Sequence, residues 1–197
     1  MSRSPRAATV RRRRTAEPML RRAAILLVCA AIVAGALAGA SDAYTIHGDP
    51  WPAPAITYHT NPARYVDSVD RAARIWNRAN VGIKFRRTTA DAAQVIVRKG
   101  GDPCTGFAIV GRASNSYMRL GPGCDTDHIV LVAVHEFGHV LGLGHELQKC
   151  ARMNPTIDHD TATPSHCRTH PQSYWLEHPL KADDVAGARV LYGGASR

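Results

Sequence analysis

Residues Val134–Lys149 read VHEFGHVLGLGHELQK, a stretch with three histidines and two glutamates. His135 and His139 are four residues apart, and residues with that spacing lie one above the other on one face of a helix. Two imidazoles on one helix face can bind a single metal ion. The spacing therefore predicts a helix that supplies two metal ligands, with Glu136 beside the metal.

Gly142 and His145 extend this pattern beyond the helix. Glycine adopts the left-handed conformation without steric cost, so Gly142 can end the helix and reverse the chain. His145 then returns as a third nitrogen ligand, which leaves the fourth position of a tetrahedral zinc to water. The metal lowers the pKa of that water to about 7, and Glu136 is placed to accept its proton as general base. The alternative is a His-rich surface helix that binds no metal.

At these residues the chain resembles the metzincin metalloproteases, and among them the matrixin-like branch (peptidase family M10 type). Met153, in the string ARMNP, follows His145 by eight residues, where metzincins carry the methionine of a tight turn beneath the zinc. The turn-favouring pair Asn154 and Pro155 supports that assignment. Astacin-like metzincins have a metal-reaching tyrosine two residues after this methionine. Pro155 occupies that position here, so no tyrosine ligand is expected.

Residues 182–193 read ADDVAGARVLYG and resemble the last helix of matrixin catalytic domains. Asp183 and Asp184 favour a helix N-terminus, apolar residues follow at helical spacing, and Gly193 ends the pattern. The resemblance implies that Asp184 hydrogen-bonds the methionine turn. It also suggests that Asp183 pairs with a freed N-terminal ammonium group.

Hydrophobic periodicity outside the motif predicts an α+β fold. The helix Tyr65–Ala79 places Trp76 on its apolar face, as a core residue rather than a site residue, and the motif helix begins near Asp127. Runs typical of strands are Ala55–His59, Val81–Phe85, Ala93–Val97, Gly106–Arg112 and Ser116–Leu120. This order resembles the metzincin (zincin-like) catalytic domain: a twisted mixed sheet of about five strands, an active-site helix, a methionine turn and a C-terminal helix.

The resemblance implies a role in substrate binding for the predicted strand Gly106–Arg112. Matrixin catalytic domains bind an extended peptide antiparallel to an edge strand, which makes Gly106–Arg112 the candidate substrate-binding edge. The alternative is an edge strand that simply faces water.

The first 43 residues are typical of a secretory signal peptide with a basic n-region. Residues 1–22 contain eight arginines and one acidic residue, and the apolar run Ala23–Ala40 follows. We expect cleavage near Tyr44, which makes residues 44–197 the catalytic domain. The apolar run is also long enough to span a bilayer, so an uncleaved membrane tether is the alternative.

Charge argues against a nucleic-acid partner once the leader is removed. From Tyr44 onward the chain has 17 Lys and Arg and 14 Asp and Glu, so the net formal charge is only about +3. The basic residues form pairs such as Arg86–Arg87 and Arg98–Lys99, which indicate a solvated surface.

Four cysteines remain after the leader, an even number that indicates disulfide bonds in an exported domain. They are Cys104, Cys124, Cys150 and Cys167. Three pairings are formally possible, and sequence alone does not choose among them. We favour Cys104–Cys124 and Cys150–Cys167, since the second would close a loop around the methionine turn.

Several departures from the matrixin pattern refine the prediction. Only eight residues, Lys99–Gly106, stand where matrixins carry a long loop with a structural zinc, and they include no histidine, so a single zinc is expected. Calcium is possible at the loop aspartates, although scattered aspartates usually cap helices or turns. The candidate aspartates are Asp102, Asp125 and Asp127, and two further histidines, His159 and His166, fall beside the expected substrate pocket without an assigned role.

Together these features predict a secreted, extracellular, monomeric zinc endopeptidase (EC 3.4.24 type) that hydrolyses polypeptides. Heavy use of Ala, and of Arg over Lys, is typical of high-GC bacterial genes. The biological role, whether nutrient scavenging, extracellular-matrix attack or processing of exported proteins, stays open. Two alternatives remain: a zinc-containing binding module without turnover, and a membrane-tethered protease. Retention of Glu136 argues against the first, because a binding module does not need that carboxylate.

Overall fold

A computed structural model describes residues 43–52, 54–61, 63–155, 167 and 170–193. All of them lie within the compact unit Asp42–Arg197. The expected leader lies outside these ranges except for Ala43, and its cleavage near Tyr44 stays a prediction. His159 and His166 also lie outside the described residues. None of the described helices is long and apolar enough to cross a membrane.

Five strands form one mixed sheet with the order β2-β1-β3-β5-β4. β1, β2, β3 and β5 are mutually parallel where they pair, and β4 lies antiparallel to β5 at the edge. The strands are β1 (Ala55–Thr60), β2 (Lys84–Arg87), β3 (Val95–Lys99), β4 (Gly106–Ala108) and β5 (Ser116–Leu120). The predicted α+β class, the number of strands and the edge position of β4 are confirmed.

Four of the five strands differ in their bounds from the sequence prediction, and for β2 and β4 the reason is identifiable. Val81 and Ile83 are buried, but they lie in the turn before β2, so an apolar run there indicated burial rather than strand. β4 ends at Ala108 instead of Arg112, because the chain turns at Gly111, whose φ is 69°. The Gly111 amide then donates to the His139 carbonyl (2.8 Å) instead of to a strand.

The described residues form four α-helices, which follow the strands or connect them: α1 (Val66–Ala79), α2 (Thr126–Leu141), α3 (Gln172–Glu177) and α4 (Ala182–Tyr192). A 3-10 turn, Ala63–Tyr65, leads into α1. The short helix α3 was not predicted, since six residues are too few to show a helical period. It begins after Pro171, which cannot donate a backbone hydrogen bond but suits a helix start.

The helix α2 lies at the centre of the core. Every residue from Ile129 to Leu141 is buried, including His135, Glu136 and His139. The Phe137 ring lies 5.4 Å from that of Tyr58 and 4.3 Å from that of Phe85, which packs α2 on the inner face of the sheet. From the other side, the Trp76 indole of α1 donates to the Val134 carbonyl (2.8 Å), so its predicted core role is confirmed.

The two ends of the described chain meet at the C-terminal end of α2. The Tyr192 hydroxyl donates to the Leu141 carbonyl (2.6 Å) and accepts from the Trp51 amide (3.3 Å). The Trp51 indole donates to the neighbouring carbonyl of Val140 (2.8 Å). These bonds satisfy carbonyl groups that a helix end leaves without partners inside the helix.

Both favoured disulfides are present. Cys104–Cys124 joins the loop before β4 to the segment before α2, and Cys150–Cys167 joins the two sides of the loop that follows the motif. Their Cα atoms are 5.2 and 5.3 Å apart, which is normal for a disulfide.

We predict that Tyr192→Phe lowers the free energy of unfolding by about 1–3 kcal/mol, because it leaves two buried backbone groups without their partner. Urea unfolding of the oxidised protein measures this. Tyr117→Phe is the matched control, since the Tyr117 hydroxyl makes no hydrogen bond among the described residues and its loss should cost little. Equal stability of the two variants would contradict the stabilising role of the Tyr192 hydroxyl.

Candidate active site

The three motif histidines converge. The Nε2 atoms of His135 and His139 are 3.1 Å apart, and those of His139 and His145 are 3.2 Å apart. A tetrahedral zinc with bonds of about 2.0–2.1 Å separates its nitrogen ligands by roughly 3.3–3.4 Å, so the spacing fits this metal. The three side chains also form one of two groups of potential metal ligands among the described residues.

The other ring nitrogens of the two helical histidines contact backbone carbonyls. His135 Nδ1 lies 2.7 Å from the Arg152 carbonyl, and His139 Nδ1 lies 2.8 Å from that of Leu143. Since a carbonyl only accepts, each Nδ1 carries the proton and each Nε2 keeps its lone pair. Metal-binding histidines are held in the same way. Lone pairs that face one another repel unless a cation lies between them, so the donor set fits zinc.

Burial keeps these histidines neutral, which is the state that binds metal. Desolvation lowers the pKa of His139 to about 4 and that of His135 well below its ordinary value. Desolvation also lowers the pKa of the more exposed His145. Neutral imidazoles at neutral pH need release no proton when a metal binds.

The turn that returns His145 to the site is the one expected from the sequence. Gly142 follows α2 with φ 110°, a left-handed conformation, and its amide bonds back to the Gly138 and His139 carbonyls. A side chain is strained at this φ, so glycine is required at the end of the helix.

The Glu136 carboxylate lies between α2 and the edge strand β4. A Cβ atom at Gly106 would collide with this carboxylate, so glycine at the start of β4 makes the space that Glu136 occupies. Burial raises the pKa of Glu136 to about 8. Its Oε2 is buried and has no hydrogen-bond partner among the described residues. A buried carboxylate oxygen without a partner is a strong proton acceptor.

Met153 packs against α2, and its expected place beneath a zinc stays a prediction. It is buried, and its sulfur fills the space beside Gly138 of α2. The carboxylate of Asp184 accepts from the amides of Arg152 (2.8 Å) and Met153 (3.0 Å), so the expected hydrogen bonds to the methionine turn are confirmed. The same carboxylate accepts from the Lys181 amide (2.7 Å) at the start of α4.

Arg152 is the site residue that the sequence analysis missed. This side chain is buried, and its guanidinium lies 4.7 Å from the Trp175 ring of α3. Its Nε also donates to the Pro179 carbonyl (3.0 Å). Arg152 thereby joins the methionine turn to the segment around α3. An arginine in a turn is usually solvated, and only its position before the methionine could have indicated otherwise.

Asp183 accepts a hydrogen bond from a backbone amide at the start of the described residues. Its Oδ1 accepts from the Ala43 amide (3.0 Å) and pairs with Lys149 Nζ (3.3 Å). The amide that reaches Asp183 is that of Ala43, one residue before the expected mature start at Tyr44. Whether Asp183 pairs with an ammonium group in the processed protein stays a prediction.

Two of the three candidate calcium ligands have ordinary structural roles. Asp125 caps α2 by accepting from the His128 amide (2.8 Å), and Asp127 pairs with Arg71 (2.7 Å). The second group of potential metal ligands in the described residues consists of His128 with two cysteines that form a disulfide. Asp102 belongs to neither group, so no carboxylate cluster suited to calcium occurs in the described part of the chain.

Comparison with known proteins agrees with this site. The family Astacin (Peptidase family M12, subfamily A) matches residues 45–165. Matrilysin from Rattus norvegicus is 29% identical over 160 residues, which cover 70% of this chain and 55% of that protein. Macrophage metalloelastase from Oryctolagus cuniculus is 30% identical over 146 residues, 64% of this chain and 28% of that protein.

An astacin relative matches as well. Astacin-like metalloprotease toxin 1 from Loxosceles intermedia is 34% identical over 113 residues, 55% of this chain and 40% of that protein. The chain thus spans about half, or less, of these three relatives. Since both matrix metalloproteinases and an astacin-like protein match, the narrower matrixin-like assignment stays a prediction. The match over residues 45–165 and the histidine triad place the chain in the astacin family of peptidases, and hence among the metzincin metalloproteases.

Proposed function

We propose that this chain is a secreted bacterial zinc endopeptidase. The observation that carries the proposal is the convergence of three imidazole nitrogens beside a buried, unpartnered carboxylate oxygen of Glu136. His135, His139 and His145 would hold the zinc, which supplies a Lewis acid that polarises a peptide carbonyl and lowers the pKa of water.

In this mechanism Glu136 moves the proton. Its carboxylate accepts a proton from the water that attacks the peptide carbonyl carbon, and then gives that proton to the leaving amine as the carbon–nitrogen bond breaks. Burial favours the first step, because a raised pKa makes the Glu136 carboxylate a stronger proton acceptor. The unfilled hydrogen-bonding capacity of Oε2 provides the position for that proton.

The edge strand β4 would hold the polypeptide. β4 pairs with β5 on one side only, so its other edge offers backbone groups to an extended peptide. Glu136 lies directly over Gly106 at the start of this strand, which would bring a peptide bound to β4 next to the carboxylate.

Within the metzincins we propose a matrixin-like site, with three histidine ligands and no tyrosine. Pro155 stands two residues after Met153, where a tyrosine ligand would be needed. The alternative functions remain a zinc-containing module without turnover and a tethered protease. The buried Glu136 favours turnover over the first alternative, because burying an unpaired carboxylate is costly and a binding module gains nothing from it.

We predict that Glu136→Gln lowers kcat for an unstructured protein such as casein by about 10²- to 10⁴-fold, since the general base is lost. Elemental analysis should still find one zinc per chain, because Glu136 is not a ligand. The matched control is Glu177→Gln, an exposed glutamate at the end of α3, which should retain activity. Turnover by zinc-loaded Glu136→Gln at the parent rate would refute the proposed role.

Zinc should also stabilise the fold, because a metal that binds only the folded state shifts the unfolding equilibrium. We expect zinc to raise the melting temperature of the chelator-treated parent by several degrees, but not that of His145→Ala. His128→Ala is the control and should respond like the parent. A similar zinc response in His145→Ala would show that the metal binds elsewhere.

We predict that the exported protein begins near Tyr44. Sequencing of the N-terminus after expression with the complete leader measures this directly. A start upstream of residue 23 in a membrane fraction would instead favour the tethered protease.

A further inference from the structure

The outer face of the sheet is unusual for parallel strands. Most parallel sheets are covered on both faces, but α1 and α2 pack against each other and against the same face of this sheet. On the opposite face the strands carry half-exposed or exposed side chains, among them Thr57, Tyr117, Arg86, Arg98 and Arg119.

Four of these outward side chains form a group next to the edge strand, which we name the basic aromatic cluster: Arg98, Phe107, Tyr117 and Arg119. The Arg119 guanidinium lies 5.0 Å from the Phe107 ring and 5.5 Å from the Tyr117 ring. The guanidinium of Arg98 lies 5.8 Å from the Tyr117 ring. Phe107 is 46% exposed, a high value for a phenylalanine on a strand.

The two arginines of the cluster are direct neighbours across strands. Arg98 of β3 is the register partner of Arg119 of β5, and like charges in that arrangement repel. The ion pairs found among the described residues are Arg71–Asp127, Arg87–Asp70 and Lys149–Asp183, so neither cluster arginine has a carboxylate partner there. A bound anion would remove the repulsion. Stacking on the rings leaves the N–H groups at the guanidinium edges available to a carboxylate.

The cluster lies where an extended substrate would pass, and this step rests on the proposed function. A peptide strand paired with β4 presents alternate side chains on the outer face, beside Phe107. Its backbone would lie two strand spacings, about 10 Å, from that of Arg119. The combined length of an arginine and a glutamate side chain can bridge this distance.

We propose that the basic aromatic cluster determines substrate specificity, by binding the carboxylate of a Glu or Asp that an extended polypeptide presents beside Phe107. Arg119 makes the main contact and Arg98 adds charge. The preferred substrate class is therefore polypeptides with an acidic residue on the outward side of the bound strand.

The test begins with the cleavage sites of the parent in a mixture of unstructured peptides, from which the position enriched in acidic residues is identified. A peptide pair with Glu or Gln at that position is then compared by kcat/KM for the parent, Arg119→Gln and Arg98→Gln. Arg86→Gln is the matched control, since Arg86 is exposed on the same face but lies on β2, which β1 and β3 separate from β5. The kcat/KM for the Glu peptide should be about tenfold lower in Arg119→Gln than in the parent, the effect of one charge-assisted hydrogen bond. The kcat/KM for the Gln peptide, and both values in the Arg86→Gln control, should change little.

Equilibrium binding of the same peptides to zinc-loaded Glu136→Gln, with and without Arg119→Gln, separates this inference from the proposed function. If the parent cleaves nothing in the mixture, the proposed function fails, and the binding comparison, made with extended peptides that carry Glu or Gln at alternate positions, still decides the acidic preference. Absence of any enriched acidic position, equal affinity for the Glu and Gln peptides, or an equal loss in Arg86→Gln would overturn the inference. A fall in melting temperature with equal losses on both peptides would also overturn it, because Arg119 would then be structural.

Discussion

The contact between His135 Nδ1 and the Arg152 carbonyl, 2.7 Å long, connects two segments on which the whole site depends. It orients the first imidazole of α2 and fixes which nitrogen keeps the lone pair. The carbonyl can serve this purpose only if the methionine turn is itself fixed, and Asp184 fixes it through the amides of Arg152 and Met153. A residue at the start of α4 therefore positions the first imidazole of the triad. The histidine triad depends on a segment of the chain that begins more than 30 residues after it.

The methionine turn also brings together two buried groups of opposite charge, Arg152 and Asp184, which interact electrostatically without a direct ion-pair contact. Burial lowers the pKa of Arg152 to about 10 and raises that of Asp184, so each group alone would be costly in this environment. Their mutual attraction opposes both shifts, and backbone groups supply further hydrogen bonds: three amides to Asp184, and the Pro179 carbonyl to Arg152. A buried pair of this kind adds little net stability, but removal of one partner leaves an uncompensated charge. The pair accordingly specifies one arrangement of the turn, α3 and α4.

Much of this structure could be predicted from local patterns, and the failures have physical causes. The three histidines, Glu136 and the turn at Gly142 follow from spacing within a dozen residues, and β5 follows from a β-rich run with clear ends. Gly106 could not be recognised in the same way, because the carboxylate that requires it lies 30 positions later in the chain. Arg152 was missed because arginine is usually solvated, and its partners Trp175 and Pro179 approach it only in the folded chain. Val81 and Ile83 are buried but lie outside the sheet, so the second strand was predicted to begin too early. Hydrophobic periodicity indicates burial and does not indicate hydrogen bonding.

The alternation of buried and half-exposed residues along β1 shows that the two faces of the sheet have different environments. Parallel strands covered on both faces read as continuous apolar runs, whereas β1 alternates along its whole length. The inner face supplies the core against α1 and α2, so the helix that carries two histidines of the triad also makes most of the packing contacts. Substitutions on that face therefore change stability and ligand geometry together. The outer face carries little of this packing, and β3 and β5 can place two arginines in register there at a small electrostatic cost. Stability and recognition of an extended chain are thus separated on opposite faces of one sheet, and they meet only at the edge strand, where Gly106 contacts Glu136 and Phe107 points outward.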